Sequence, residues 1–588
     1  MSKDGASGVS GILSPSYAGM GIEPSNLFSF TGTSSSGNAF TNQLLTNLGQ
    51  MTGIPPHIRV GGNSADQMKF DQDYSGFNLE NNPNPTGQGY GYQTDHFIFG
   101  PNYFTALDTL PKSTPVTVGI NMAYTGSDYL QEVVNQAAAA MNMSNVNVVG
   151  LEMGNEPDLY KQLGFRSSDW STTDYGNEWY ERVQAVYNAT LKQHNIGTAF
   201  WEAPCTATTA VHNDYRISNM VNTAVASGSG VWLAGWSQHD YYYYVNVSNY
   251  QLTLELLQNL GTTESQFDEW AKQAQQAKVT GKPYYLREMG SVGPEGIEGI
   301  SDTFGNTLWT FNFFLYAATV NVASVQMHMT DNSYSAPWEP NESTNSDGSK
   351  RAPFVRSSYA AYAAINQVIG AKCATSVAPL TVNNPPSGYS NYMRAYSIYD
   401  GDSLSGVALF NTKVVRQSDG GASTQNFQLS LPGAAGKTVY ISTLNADYAD
   451  STQGTTWNGV SYETSDGKPA TTDSADHTAT VGSDGSVSIP VRDSQAVVVN
   501  IGSKLGTTNN KVDSKACNTL ASTTAEGGAS STTGSKGTAP TFKSTSGFAS
   551  NLALPLGAII GIAAGGGAAV LIVLAFCIWC CVRRRRRR

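Results

Sequence analysis

Eight short apolar runs, several of them rich in β-branched residues, recur between residues 16 and 329, with helix-like stretches between them. They read SYAGMGIE (16–23), HIRVGG (57–62), PVTVGINM (115–122), VNVVGLEMGN (146–155), GTAFWEAP (197–204), VWLAGWSQHD (231–240), PYYLREMG (283–290) and VASVQMHM (322–329). Segments 174–194 and 301–320 carry helical patterns instead. Eight strands alternating with helices predict an α/β fold, a (β/α)8 barrel of TIM type over residues 1–370, whose chemistry collects at the C-terminal strand ends.

Beyond residue 390 the spacing changes to alternation of apolar and polar positions, as in MRAYSIYD (393–400), SGVALFNT (405–412), KTVYISTL (437–444) and QAVVVNIG (495–502). Glycine, Asp and Asn break these runs, which predicts an antiparallel β-sandwich over 371–501, with a supporting role ranked ahead of carbohydrate binding. Residues 502–551 turn to Ser, Thr, Gly and Lys, a composition that buries no core and reads as a stalk. Leu552 to Val582 then runs 31 residues without a charge, the pattern of one membrane-spanning helix, and Arg583 to Arg588 form a basic tail. Positive flanks stay cytosolic, so the expected topology is single-pass in the cell membrane, with residues 1–551 outside. The first residues, MSKDGASGVSGILSPSY, lack the apolar core of a secretory leader. The reading preferred is that a leader belongs upstream of Met1; the alternative is a tail-anchored protein facing the cytosol. Sequons at Asn142, Asn188, Asn246 and Asn341 lean towards the outside location.

Composition narrows the chemistry. With 40% hydrophobic and 13% charged residues, the 588-residue chain can bury more than one core. Setting aside the terminal arginines leaves 28 basic against 45 acidic side chains, a net −17, which argues against nucleic acid as a partner. Three of the six cysteines lie at the end of the apolar run. Cys205, Cys373 and Cys517 remain, too few for a disulfide framework or a zinc site, although one Cys373 to Cys517 bridge is a reading they allow. No HExxH or P-loop pattern occurs, and no metal or organic cofactor is implied. The oligomeric state stays open.

The candidate chemistry sits at two strand ends. The fourth run closes in Asn155 and Glu156, and the seventh contains Glu288, 132 positions later. Strands four and seven end on different sides of a barrel mouth, so the two carboxyl groups can face one sugar. Retaining glycosidases need such a pair about 5 Å apart, one a proton donor and one an ionised nucleophile.

With GNEP (154–157) and REMG (287–290) in place, the chain resembles the large clan of retaining barrel glycosidases. GIEPSNL (21–27), RVGGNSAD (59–66) and GPEGIEGISDTF (293–304) narrow this to a resemblance, over roughly residues 15–500, to glycoside hydrolase family 79, which includes β-glucuronidases and heparanases. The resemblance implies Glu156 as general acid/base, Glu288 as nucleophile and Asn155 as a partner of the sugar 2-hydroxyl. It implies Tyr241 as a donor to Glu288, with Tyr242 an alternative register within the run of four tyrosines. A uronate carboxylate is expected to meet Gly296, Ile297 and Tyr334. Glu23 and Asn63 match positions that contact sugar hydroxyls, and Arg59 braces the mouth. His239 and Asp240 depart from the residues common in relatives, and Glu295 and Glu298, beside the carboxylate loop, are expected to point outward.

The expected function is a retaining exo-β-glucuronidase that removes terminal glucuronate, or its 4-O-methyl form, from glycans. One alternative is a heparanase-like endo-glucuronidase, disfavoured by the acidic charge; a related barrel glycosidase for neutral sugars is another. A third is an inactive carbohydrate-binding or adhesion protein, since a fold alone does not imply catalysis.

Overall fold

A computed structural model describes residues 3–33, 36–207, 213–226, 230–344 and 348–506, together with 513, 516 and 517. Most of the expected stalk, and all of the expected membrane span and basic tail, lie outside the described residues. Among the described residues, no helix is long and apolar enough to cross a membrane.

All eight runs form strands. They are β1 (Ala18–Ile22), β2 (Ile58–Val60), β3 (Pro115–Ile120), β4 (Asn147–Met153), β5 (Trp201–Thr206), β6 (Leu233–Tyr244), β7 (Tyr284–Gly293) and β8 (Ser324–Met329). Each pairs in parallel with its sequence neighbours, and β8 closes on β1. A principal helix follows each strand in turn: α1 (Ala39–Thr52), α2 (Pro101–Leu107), α3 (Tyr129–Met141), α4 (Thr172–Val186), α5 (Ile217–Met220), α6 (Asp268–Val279), α7 (Phe304–Thr319) and α8 (Tyr359–Ile369). This is the (β/α)8 arrangement, and it places the loops after the strands at one end of the barrel.

Alternation along the strands separates two environments. Leu151 and Met153 of β4 and Trp201 and Ala203 of β5 join the apolar layer beneath the helices. Glu152 and Glu202, between them, turn inward and meet charges from other strands. Arg59 donates to Glu152 at 2.7 Å, and Arg287 holds Glu202 with two bonds of 2.5 Å. The barrel interior therefore contains paired charges, each compensated where it is desolvated.

The second domain is built from β9 (Thr375–Leu380), β10 (Met393–Asp400), β11 (Ser403–Asn411), β12 (Thr424–Ser430), β13 (Thr438–Asn445), β14 (Ser486–Arg492) and β15 (Gln495–Ile501). Its main sheet runs β9-β10-β11-β15-β13 and continues into short strands, while β12 pairs with β14 in a second, two-stranded sheet. Period 2 assigns each face. Val407, Leu409, Val497 and Val499 pack towards β12 and β14, and Ala408, Phe410, Ala496 and Val498 face the barrel. There Phe410 meets Phe311 of α7 at a 5.1 Å ring separation. Helix α7 is consequently buried on nearly every side, as a helix apolar all round its circumference should be.

Two further ties join the ends of the chain to this domain. Ser10 and Leu13 donate their backbone N–H groups to Val377 and Thr375, which covers the β9 edge. Cys373 and Cys517 form a disulfide, and Cys205 is buried and free. All four sequon asparagines, 142, 188, 246 and 341, are exposed.

Candidate active site

Gly154 and Asn155 follow the end of β4 at Met153, and Glu156 comes next, with its backbone in the left-handed region (φ 50°, ψ 55°). A non-glycine residue held there stores roughly 1–3 kcal/mol of strain, compensated by the surrounding structure. Its N–H donates to the Cys205 carbonyl at 2.8 Å, which pins the turn to the end of β5.

Glu288 reaches the mouth by a different device. The pairing of β7 with β6 shifts between Leu286 and Glu288, so one residue is inserted into the register. Simple alternation would point Arg287 inward and Glu288 outward. With the bulge both face the interior: Arg287 reaches Glu202 and Gln326, and Glu288 reaches Arg59 and Tyr241. Bulges commonly re-aim a side chain in this way beside active sites.

The tyrosine register is settled by the same alternation. Ser237, His239 and Tyr241 of β6 turn inward, and the Tyr241 hydroxyl donates to Glu288 Oε1 at 2.9 Å. Tyr242 turns outward, where its hydroxyl meets Thr262 at 2.8 Å. The Tyr241 ring lies on Gly293 and Gly290, where a Cβ would come within 2.7 and 2.9 Å of ring carbons, so glycine is needed at both positions.

Arg59 is the hub. Besides Glu152, its guanidinium donates to Glu288 Oε2 and to Asn155 Oδ1, each at 2.8 Å, and lies 3.4 Å from His239 Nε2. Because Arg59 can only donate, Nε2 of His239 is the acceptor. Its Nδ1 therefore carries the hydrogen, which it offers to Glu156 Oε1 at 3.2 Å. The Asn155 oxygen is occupied by Arg59, so its amide nitrogen remains the donor towards a ligand; Asn63 Oδ1 lies 3.4 Å from it.

An oxygen of Glu156, a ring nitrogen of His239 and an oxygen of Glu288 all lie within 4.8 Å of one another. That spacing also suits a cation, but the fixed positive charge of Arg59, 2.8 Å from Glu288, opposes a second one. Proton chemistry fits the trio better. Burial, reinforced by the negative charges of Glu288 and Asp158, pushes the Glu156 carboxyl well above the usual carboxylate range. Burial would raise Glu288 too, but the positive surroundings of His328, His239 and Arg59 and the Tyr241 hydrogen bond outweigh it and hold Glu288 at about 2. Burial and Arg59 lower His239 itself to about 4, so at neutral pH it is Arg59 and not His239 that carries positive charge, while burial of His328 is outweighed by Glu288 and Glu23, which raise it. The pair thus separates into a protonated acid and an ionised carboxylate.

Glu23 lies at the same end, accepting from the Ser64 N–H at 2.8 Å and from the Ser64 hydroxyl, with His328 Nε2 at 3.6 Å. Gly296 adopts φ +81°, and the Ile297 N–H donates to Ser301 Oγ at 2.9 Å. The Tyr334 hydroxyl donates to Glu298 at 3.2 Å, while its N–H and the Ser333 hydroxyl hold the Glu295 carbonyl, clasping the loops after β7 and β8 together. Glu295 and Glu298 are exposed.

Several participants escaped the sequence reading. His328 closes β8 between Glu23 and Glu288, and Glu152 braces Arg59. Asp66 accepts from the Asn155 N–H at 2.8 Å and the Tyr160 hydroxyl at 2.6 Å, which fixes the strand end that carries Glu156. A polar residue at alternating positions of an otherwise apolar strand is the signal that picks out Glu152 and His328.

Comparison with known proteins bears on the family and the fold. Residues 395–498 match the family model described as the glycosyl hydrolase family 79 C-terminal beta domain. A protein named β-glucuronidase from Neurospora crassa is 26% identical over 493 residues, 77% of this chain and 86% of its own length. A β-glucuronidase from Aspergillus niger is 26% identical over 530 residues, covering 83% of this chain and 91% of that protein. A 4-O-α-L-rhamnosyl-β-D-glucuronidase from Fusarium oxysporum 12S shares the fold, with a TM-score of 0.68 at 23% identity over 84% of this chain and 98% of the other. A GH51 arabinofuranosidase from Xanthomonas axonopodis pv. citri shares it more distantly, with a TM-score of 0.56 at 12% identity over 85% and 98% of the two chains. The chain is a glycoside hydrolase, similar to the β-glucuronidases of family 79.

Proposed function

We propose that this protein is a retaining exo-β-glucuronidase. The observation that carries the reading is the pair Glu156 and Glu288, with carboxyl oxygens within 4.8 Å of each other; burial pushes Glu156 up, and the surroundings of Glu288 hold it low. Inverting enzymes keep their carboxyl groups about 6.5–9.5 Å apart to admit a water between them, whereas retaining ones hold them at about 5–5.5 Å. Glu288 attacks the anomeric carbon while Glu156 gives its proton to the leaving oxygen, breaking the glycosidic bond and forming a glycosyl ester. Glu156, now ionised, takes a proton from water, which cleaves that ester and regenerates both groups. Asn155 Nδ2 offers its hydrogen bond to the sugar 2-hydroxyl as the oxocarbenium-like transition state develops.

Glucuronate as the sugar is supported by the two relatives named β-glucuronidase. Gly296, Ile297 and Tyr334 are the proposed receptor of its carboxylate, and Glu23 and Asn63 the proposed hydroxyl partners. The 4-O-methyl sugar belongs to the same proposal. One observation favours a second reading, a neutral sugar: the Tyr334 hydroxyl already serves Glu298, and the Ile297 N–H already serves Ser301. Hydrolysis of p-nitrophenyl β-D-glucuronide beside the matching glucoside decides between them. Turnover of the glucuronide alone is the expected result; cleavage of the glucoside alone keeps the catalytic pair and removes the uronate receptor.

Placement of the barrel outside the cell, anchored through residues 552–582, is part of the proposal. The Cys373–Cys517 disulfide supports it, because such bonds persist in oxidising compartments.

A further inference from the structure

Tyr90 stands in the loop that follows β2, and its side chain is 65% exposed. The loop that carries it is nonetheless firmly held. The Tyr90 N–H donates to the Leu163 carbonyl at 2.7 Å, and Gln88 reaches Thr125 at 2.9 Å. Asp95 accepts from the N–H groups of Thr86 and Gly87 at 2.9 and 2.8 Å. One face of the ring is seated on Gly164, where a Cβ would meet three ring carbons at 3.0 Å and where φ is +74°. The geometry is that of an aromatic plate with one face fixed to the protein and the other open to solvent.

Its seat belongs to the same unit as the proposed proton donor. Gly164 ends the short helix Tyr160–Leu163, which continues the turn begun at Glu156 and Pro157. Gly89 approaches Phe165, whose ring lies 5.6 Å from Tyr160, and the Tyr160 hydroxyl is bonded to Asp66, the residue that holds the Asn155 N–H. A helical path of this length separates Glu156 from the plate by on the order of 10 Å.

Glu156, as proton donor to the leaving oxygen, defines the side on which the leaving group lies. We propose that Tyr90 is a stacking platform for a sugar ring of the leaving group. The C–H-rich face of a pyranose meets the electron-rich face of the phenol ring there. This rests on the glycosidase reading of Glu156 and Glu288 and deepens it: the natural substrate is then a chain of several sugars ending in the cleaved residue, and not a small glucuronide. Tyr250 is a built-in control. It lies in the loop after β6, four strands from β2 around the closed barrel, and is 41% exposed.

The test uses the full chain and two substrates, p-nitrophenyl β-D-glucuronide and a tetrasaccharide of three neutral sugars capped by one terminal β-linked glucuronate. Tyr90→Ala is expected to lower kcat/KM about five- to tenfold on the oligosaccharide, mainly through KM, and to stay within twofold of wild type on the aryl substrate. Tyr90→Phe should restore the oligosaccharide rate and Tyr250→Ala should leave both rates unchanged. Equal losses on both substrates, no loss on the oligosaccharide, or the same loss from Tyr250→Ala each overturn the platform. A wild-type protein that cleaves neither substrate overturns the glucuronidase reading and the platform with it, whereas wild-type cleavage with Tyr90→Ala indistinguishable removes the platform alone.

Discussion

At the residue scale, two carboxyl groups of the same chemistry are driven to opposite protonation states by what surrounds them. Glu288 is held at about 2, so its share of stability is present above its ordinary value of 4.5 and is lost as pH falls towards 2. Glu156 is raised, so its share is complete below 4.5 and is lost as pH rises through its folded value. The same signs shape activity, with the alkaline limb of kcat/KM belonging to Glu156 and the acid limb to Glu288. Glu288→Ala is expected to abolish turnover. Glu156→Ala should reduce the rate about 10²–10⁴-fold on unactivated glycosides and far less in kcat/KM on 2,4-dinitrophenyl glycosides, which need little protonation. Loss of the alkaline limb in that second assay checks the assignment. Glu298 gives a separate expectation, since its charge faces the hydroxyl proposed to receive the uronate. Glu298→Gln should lower KM for the glucuronide a few-fold; an equal change for a neutral glycoside would remove Glu298 from uronate recognition.

At the element scale, β6 and β7 act as one device. The bulge at Arg287 turns Glu288 into the mouth, and the inward register of β6 brings Tyr241 to it. The Asp240 carboxylate, on the outer side of β6, accepts from the Tyr241 N–H at 2.8 Å, from the Tyr244 hydroxyl at 2.9 Å and from Trp270 of α6, which anchors that register against a helix. Tyr241→Phe keeps the ring and removes the donor. The expected result is a fall in kcat of about tenfold or more, with the acid limb of the pH profile moved upward as Glu288 loses a stabilising bond. The contact of α7 with the second domain makes a stability expectation of a different kind. Phe311→Ala leaves a cavity between Phe410 and Trp457 and should cost about 3–5 kcal/mol, read as a lower denaturation midpoint.

At the scale of the whole molecule, the second domain is part of the same folded body as the barrel. The N-terminal segment pairs with β9, α7 lies against β9, β10 and β11, and the disulfide returns the chain from Cys517 to the start of β9. Cys373→Ser is expected to lower stability by about 2–4 kcal/mol, since the bridge closes a loop across 144 residues. A midpoint shift in the oxidised wild type on adding reductant, absent in the variant, distinguishes the bridge from a packing effect.

Much of this was legible in the sequence because it depends on periodicity. The β-rich runs and the alternating ones gave the barrel, the separate sheets that follow it and the end of β4 that leads into Asn155 and Glu156, since burial of one face imposes a repeat; Glu288, expected at a strand end, lies inside β7, which continues to Gly293. What periodicity cannot carry is an exception to itself. The inserted residue at Arg287 reverses the direction of Glu288, and only the pairing of β7 with β6 reveals it. The choice of Tyr241 over Tyr242 depends on where β6 begins its alternation, and the partnership of Arg59 with Glu152, Asn155 and Glu288 joins residues up to 229 positions apart. The sequence by itself determined the eight strands and the order in which they reach the barrel mouth, because local periodicity decides which segments become strands. Only the tertiary structure decided which carboxyl keeps its proton, because that follows from burial and from charges brought together by closure of the barrel.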